Sequence, residues 1–218
     1  MITELKRKAL ASLKGRWSFS VLVTLITGFI YLGIPNIATS YINDTGSSPS
    51  LYPFYSTADI AMELISFILF PITVGLNWVF LDVSRKKETT IKTLFSPFSD
   101  LLYYLKMLGT QLLMGLFIFL WSLLLIIPGI IKSLAYSQTF LVMRDHPEYS
   151  VLEAITASRR LMHGYKWKYV LLWLSFIGWG ILASLTAGIG MLWLVPYVRT
   201  TLGEFYNMIS GAQPTNEA

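Results

Sequence analysis

The chain has 218 residues, 54% hydrophobic and 13% charged, with a formal net charge of +5 and a mean hydropathy of +0.58. That is too apolar for an ordinary soluble domain, and about six spans of ~20 residues each would fill it without leaving room for a separate catalytic domain. It contains no cysteine, which removes disulfides, thiolate metal sites, Cys nucleophiles and thiol redox chemistry together.

Fifteen of the seventeen Lys and Arg residues fall in three clusters. They are Lys6 to Arg16, Arg85 to Lys106, and Arg144 to Lys168; only Lys132 and Arg199 stand apart. Short basic loops stay cytoplasmic during insertion, so the clusters predict cytoplasmic N- and C-termini and contact with anionic lipid headgroups rather than with nucleic acid.

Along the chain, Ile2, Leu5, Ala9 and Leu13 share one helical face opposite much of the Lys and Arg. Residues 1–16 therefore read as an amphipathic helix lying in the headgroup plane. A first span runs from Trp17 to about Pro35, longer than a signal-peptide core and retained as a helix. Residues 36–58 lack Lys and Arg and carry Asn43 to Pro49 as turn residues, with Tyr41, Tyr52, Phe54 and Tyr55 nearby, which suits an external loop.

A second span runs from about Asp59 to Val83. Ser96-Pro97 predicts the start of a third helix that leaves the membrane near Ile127, and Pro128-Gly129 a tight turn. The fourth span, Ile130 to about Arg144, has an apolar part of only about 21 Å. That raises a re-entrant hairpin as the alternative to two crossings, and the quantity of apolar sequence favours crossing. Ser150 and Glu153 form a capping-box pattern that opens a cytoplasmic amphipathic helix over 150–163, with Leu152, Ile155 and Met162 on its apolar side and Gly164 ending it. The fifth span is Trp167 to Leu185. Gly188-Ile189-Gly190 leads into the sixth, Met191 to Ile209, kinked at Pro196. Residues 17–210 thus form a six-span all-α bundle with interfacial helices, 211–218 a flexible tail, and 1–218 one integral membrane domain.

Gly180, Ser184 and Gly188 recur at four-residue spacing, a face for close helix packing within the chain or between two copies. Charges inside spans are costly and need partners or water. Lys132 and Glu63 fall at similar depth near the outer leaflet, where they could pair or reach the surface. Arg199 falls near the midplane of the sixth span, and Glu204 lies about 140° round the helix from it, so each should meet another helix, as an ion pair or beside a polar cavity. A sixth span ending near Thr200 would instead put Arg199 at the inner surface. His146 and His163, the two histidines, lack the spacing of a metal helix, and no phosphate loop, zincin motif or nucleophile elbow is present. No cofactor, metal or catalytic residue is implied.

Together with the amphipathic N-terminus, several segments resemble a known family: Trp121 with Leu123 to Lys132, Tyr136-Ser137, Ser158 to Tyr165, Leu174 to Trp179, Thr186 to Gly190, Pro196-Tyr197 and Phe205-Tyr206. The chain is identified as a member of the bacterial multi-pass membrane proteins grouped as domain-of-unknown-function family 975. The resemblance implies a bacterial plasma-membrane protein of about six helices and no activity.

The expected function is non-enzymatic binding or passage of a small amphiphile or peptide, or assistance to a membrane partner, with homo-oligomerisation open. The alternatives are a structural membrane-homeostasis factor that senses anionic lipid and, last, an intramembrane enzyme. The topology is testable in the cysteine-free background. A Cys at Ser47 should react with an impermeant thiol reagent on intact cells and one at Lys87 only after permeabilisation; the reverse labelling would invert the map.

Overall fold

The computed structural model describes residues 1–44, 50–52 and 55–211. Among the described residues twelve α-helices follow in order: α1 (Ile2–Leu13), α2 (Trp17–Gly28), α3 (Ile34–Asp44), α4 (Thr57–Ser84), α5 (Ile91–Phe95), α6 (Leu101–Leu124), α7 (Ile126–Tyr136), α8 (Thr139–Asp145), α9 (Val151–Leu161), α10 (Lys166–Leu174), α11 (Ile177–Leu185) and α12 (Met191–Ser210). A two-stranded hairpin, β1 (Ser50–Tyr52) and β2 (Tyr55–Ser56), joins α3 to α4. Five stretches are long and apolar enough to cross a membrane: Trp17–Asp44, Thr57–Ser84, Leu101–Leu124, Ile126–Asp145 and Lys166–Leu185. They suggest a membrane protein. The sixth expected span, α12, is 20 residues long but is not among them: its second half carries Arg199, Glu204, Tyr206 and Asn207, which leave it less apolar than the other five.

The first helix does not stop at Pro35. It continues through a π-helical segment, Phe29–Gly33, to Asp44, so Asn43 and Asp44 are helical and only 45–49 of the expected turn fall outside the described residues. Tyr41 is exposed; Phe54 and the side chains of Tyr52 and Tyr55 fall outside the described residues as well. Pro35 lies near the start of α3, and π segments are one recognised way for a helix to accommodate local strain. α4 begins at a capping box, with Ser56 and Asp59 each bonding the other's backbone amide.

Ser96-Pro97 starts a short 3-10 turn, Ser96–Phe98, and not the long helix. Asp100 caps α6 by accepting from the Leu102 amide at 3.0 Å. The residues just before it, α5, tuck against the middle of α4, where the Leu94 carbonyl occupies the space a Cβ on Gly75 would need. Pro128-Gly129 is not the turn either. The chain reverses at Leu125, which is extended (φ −161°, ψ 144°), and Pro128 sits in the first turn of α7, where its missing N–H costs nothing. Gly129 lets α7 close on Ser122 of α6. With Ile126 to Gly129 included, the fourth stretch reaches 20 residues, about 30 Å, so shortness no longer argues for re-entry there. The fifth stretch is broken at Ser175-Phe176 between α10 and α11.

α9 has both capping-box bonds, from Ser150 and Glu153. Of its expected apolar side Ile155 and Met162 are buried, with Ala154 and Ser158 beside them, and only Leu152, 57% exposed, departs from it. Ser158 fixes this face: its hydroxyl donates to the Ala135 carbonyl (2.8 Å) and accepts from the Gln138 amide (3.2 Å), tying α9 to the α7–α8 break. α1 presents the expected apolar face, but to protein: Leu5, Ala9 and Leu13 are buried against α10, α12 and α4. Gly211, in the left-handed region (φ 72°), ends α12; the rest of the expected tail, 212–218, lies outside the described residues.

α12 runs parallel to α4 in fixed register. Arg199 meets Asn77, a Cβ on Gly203 would stand 2.9 Å from Ser84 Oγ and 3.3 Å from the Phe80 carbonyl, and Asn207 bonds Ser84 (3.0 Å). The expected packing face Gly180, Ser184 and Gly188 makes no such approach. A Cβ at Gly180 or Gly188 would meet nothing within 4 Å, and Ser184 is exposed with its hydroxyl on the Ile181 carbonyl. Close approach belongs instead to Gly75, Gly129, Gly190 and Gly203. Gly75→Ala should therefore cost about 1–3 kcal/mol and lower the melting temperature in detergent, whereas Gly180→Ala should leave it unchanged or slightly raised.

Candidate functional site

Beyond the break at Ser175-Phe176, α11 and the first half of α12 stand apart enough to leave a crevice of about 320 Å³, lined by Trp173, Ile177, Gly180, Met191, Leu194 and Arg199 among others. The break opens it. A continuous helix would carry Ile177 and Gly180 straight on, but the amide of Ser175 returns to Leu171 and that of Phe176 to Trp173, ending α10. Lys6 of α1 holds the free carbonyl: its ammonium donates to Ser175 O at 2.8 Å and lies 3.9 Å from the Phe176 ring centroid. Burial lowers the Lys6 pKa.

Arg199 is the crevice's one charged lining residue. Its Nη1 donates to Asn77 Oδ1 at 2.5 Å, and among the described residues no carboxylate pairs with it. A guanidinium has five N–H donors in a planar fork, so most of its capacity is left for an acceptor in the crevice. Glu204 does turn to another helix, as the spacing implied: it accepts from Ser12 Oγ of α1 at 3.3 Å. Among the described residues neither charge forms an ion pair. Lys132 lies 4.3 Å from the Trp121 ring centroid across the α6–α7 hairpin and forms no ion pair with Glu63. Glu63 is exposed on α4. The structure thus keeps Lys132 and Glu63 out of the crevice, and of the three small residues Gly180 lines it. A second crevice of about 430 Å³, between Leu10 and Trp17 on one side and Trp179, Trp193 and Tyr197 on the other, has no charged lining residue.

A polar cluster further along α4, at its C-terminal end, escapes the sequence reading altogether. Arg85 donates to both Asp145 oxygens (2.7 and 2.6 Å) and to Asn207 Oδ1 (2.9 Å), and the Tyr206 hydroxyl donates to Asp145 at 3.0 Å. Next to it Arg144 pairs with Asp82 at 2.5 Å, bonds the Trp78 carbonyl and lies over the Trp78 ring. Burial works to lower the Arg85 pKa; the bonds and charge of Asp145 outweigh it and raise it. These charges are matched and their donors used, which makes the cluster a clamp between α4, α8 and α12. Arg85 and Arg144 were read as orientation signals because a cluster of basic residues carries no mark of which member points inward; the acids Asp82 and Asp145, each beside a cluster, were the available clue. His146, three residues past Met143, stacks on Tyr149 (4.5 Å) and bonds Glu148 (3.1 Å) at the surface.

A family model matches residues 1–132 and 123–213. The chain belongs to that family, Protein of unknown function (DUF975). The description carries no activity to set against the geometry of this DUF975 protein. Comparison with curated proteins and with solved structures finds no match.

Asp145→Asn in this DUF975 protein would leave Arg85 largely buried without its countercharge. It should cost about 3 kcal/mol, read as a lowered melting temperature in detergent, while Lys132→Ala should stay within about 0.5 kcal/mol.

Proposed function

We propose that this DUF975 protein is a non-enzymatic plasma-membrane protein that holds a small anionic amphiphile in the α10–α12 crevice, its acidic head on Arg199 and its chain along Ile177, Gly180 and Leu194. The observation that carries this reading is a single arginine, bonded to a neutral amide instead of a carboxylate, in an otherwise apolar lining. A buried cation without a counterion is costly, and a ligand acid would supply both the charge and the acceptor geometry. An intramolecular ion pair, the commoner arrangement, is what Arg85 and Arg144 have and Arg199 lacks.

The depth of the arginine supports the same occupant. α2 with its π segment and α3 spans 28 residues, as does α4. Each is about 42 Å long, close to a bilayer with its headgroups. With the basic clusters on the cytoplasmic side, Asn77 and Arg199 stand about 10 Å above the inner end of α4. That is within about 5 Å of the inner hydrocarbon boundary and well short of the midplane. From there a long arginine side chain can reach the boundary, where an inner-leaflet amphiphile carries its acid.

The test is gentle purification followed by intact-complex mass spectrometry. Wild type and Glu204→Gln should retain an acidic amphiphile, and Arg199→Met should lose it by at least about tenfold, the loss of one charge-assisted contact. Equal retention by Arg199→Met, a neutral adduct, or a dimer whose second copy fills the crevice would each overturn the reading.

A further inference from the structure

The stretch from Tyr169 to Val198 contains no charged residue, yet its turning point is nowhere near the far end of the bundle. Two parallel helices in contact share a ruler, and the pairs Arg199 with Asn77, Gly203 with Phe80 and Ser84, and Asn207 with Ser84 fix α12 against α4. Met191, the first residue of α12, then falls level with about residue 69 of α4. α4 continues for a further twelve residues or so to Thr57, about 18 Å beyond the tip of the α11–α12 hairpin.

We infer that the α11–α12 hairpin is re-entrant: it ends among the lipid acyl chains near the bilayer midplane, entering and leaving from the side of the basic clusters. The inference rests on α2–α3 and α4 crossing the bilayer and not on what occupies the crevice. On that ruler the tip stands about 16 Å inside a hydrocarbon layer of about 30 Å.

The chemistry of the tip agrees. Leu185 is 78% exposed, Ile189 61% and Trp193 51%, a composition that water would penalise and acyl chains accept. Hydrocarbon demands in return that a turn meet its own backbone polar groups. Here Thr186 does much of this: its hydroxyl donates to Ala183 O at 2.7 Å and accepts from the Gly190 amide at 2.8 Å. The amide of Ile189 returns to Thr186 O and that of Met191 to Gly188 O. Gly190 packs on Ala183, 2.9 Å from its Cα to the position of an added Cβ, which closes the tip to a narrow point. The C-terminal end of α3 is of the opposite kind, with Asn43 and Asp44; in sequence a run of Thr, Gly and Ser follows them.

The test uses the full chain with a single Cys at Ile189 or at Asn43, labelled with an environment-sensitive fluorophore and reconstituted in phosphatidylglycerol–phosphatidylethanolamine vesicles. Lipids brominated deep in the acyl chain should quench the Ile189 probe at least about twofold more than lipids carrying a headgroup quencher, and the Asn43 probe should show the opposite order. If Ile189→Cys fails to fold, Leu185→Cys reads the same level. Headgroup-dominated quenching at the tip, or no quenching by either lipid because protein covers it, would overturn the inference.

Discussion

The contact of α12 with α4 is the constraint on which the remaining structure turns. Gly203 removes the side chain that would hold the two helices apart, so Phe80 and Ser84 lie directly beneath its backbone. The Arg85–Asp145 pair with Tyr206 and Asn207 then locks the lower ends in register. An error of one residue there would rotate α12 by about 100° and turn Arg199 away from both Asn77 and the crevice. The clamp and the candidate site thus lie along one helix pair, one with its charges matched and the other with a charge left over.

That imbalance is also what separates the two crevices. Both are apolar and of similar size, but one is lined only by neutral side chains and the other ends on a guanidinium. An apolar lining gives affinity without orientation; a charged end fixes which way an occupant faces.

Much of the fold was legible because it follows from patterning. The apolar runs, the Ser150–Glu153 cap, the amphipathic face of α1 and the residues Met191 to Ile209 as one helix depend on local sequence. Reversals were harder to place. Pro128-Gly129 is a strong turn signal and Ser96-Pro97 a strong helix-start signal, yet Leu125 makes the reversal and Asp100 starts the long helix, since proline is at home both in turns and in the first turn of a helix. The glycine stripe on α11 meets no other helix of this chain for a related reason: spacing says which residues share a face, not what stands opposite. Gly75 and Gly203 had no stripe to mark them, and only the partner backbones at Leu94 and Phe80 reveal their purpose. At the site, Arg199 and Glu204 stood out as isolated charges, whereas their partners Asn77 and Ser12, uncharged and far apart in sequence, did not.

The docking of α1 has a consequence for how the chain is made. Its polar contacts reach across 169 residues to Ser175 and 192 residues to Glu204, so the groups it binds leave the ribosome last. At roughly 5–20 residues per second, α1 waits on the order of 10–40 s before those partners exist. Throughout that interval α4 can already take Leu13, but the α10 and α12 surface that buries Leu5 does not yet exist. The N-terminal helix is thus seated in two steps, Leu13 early and Leu5 only when the final hairpin arrives.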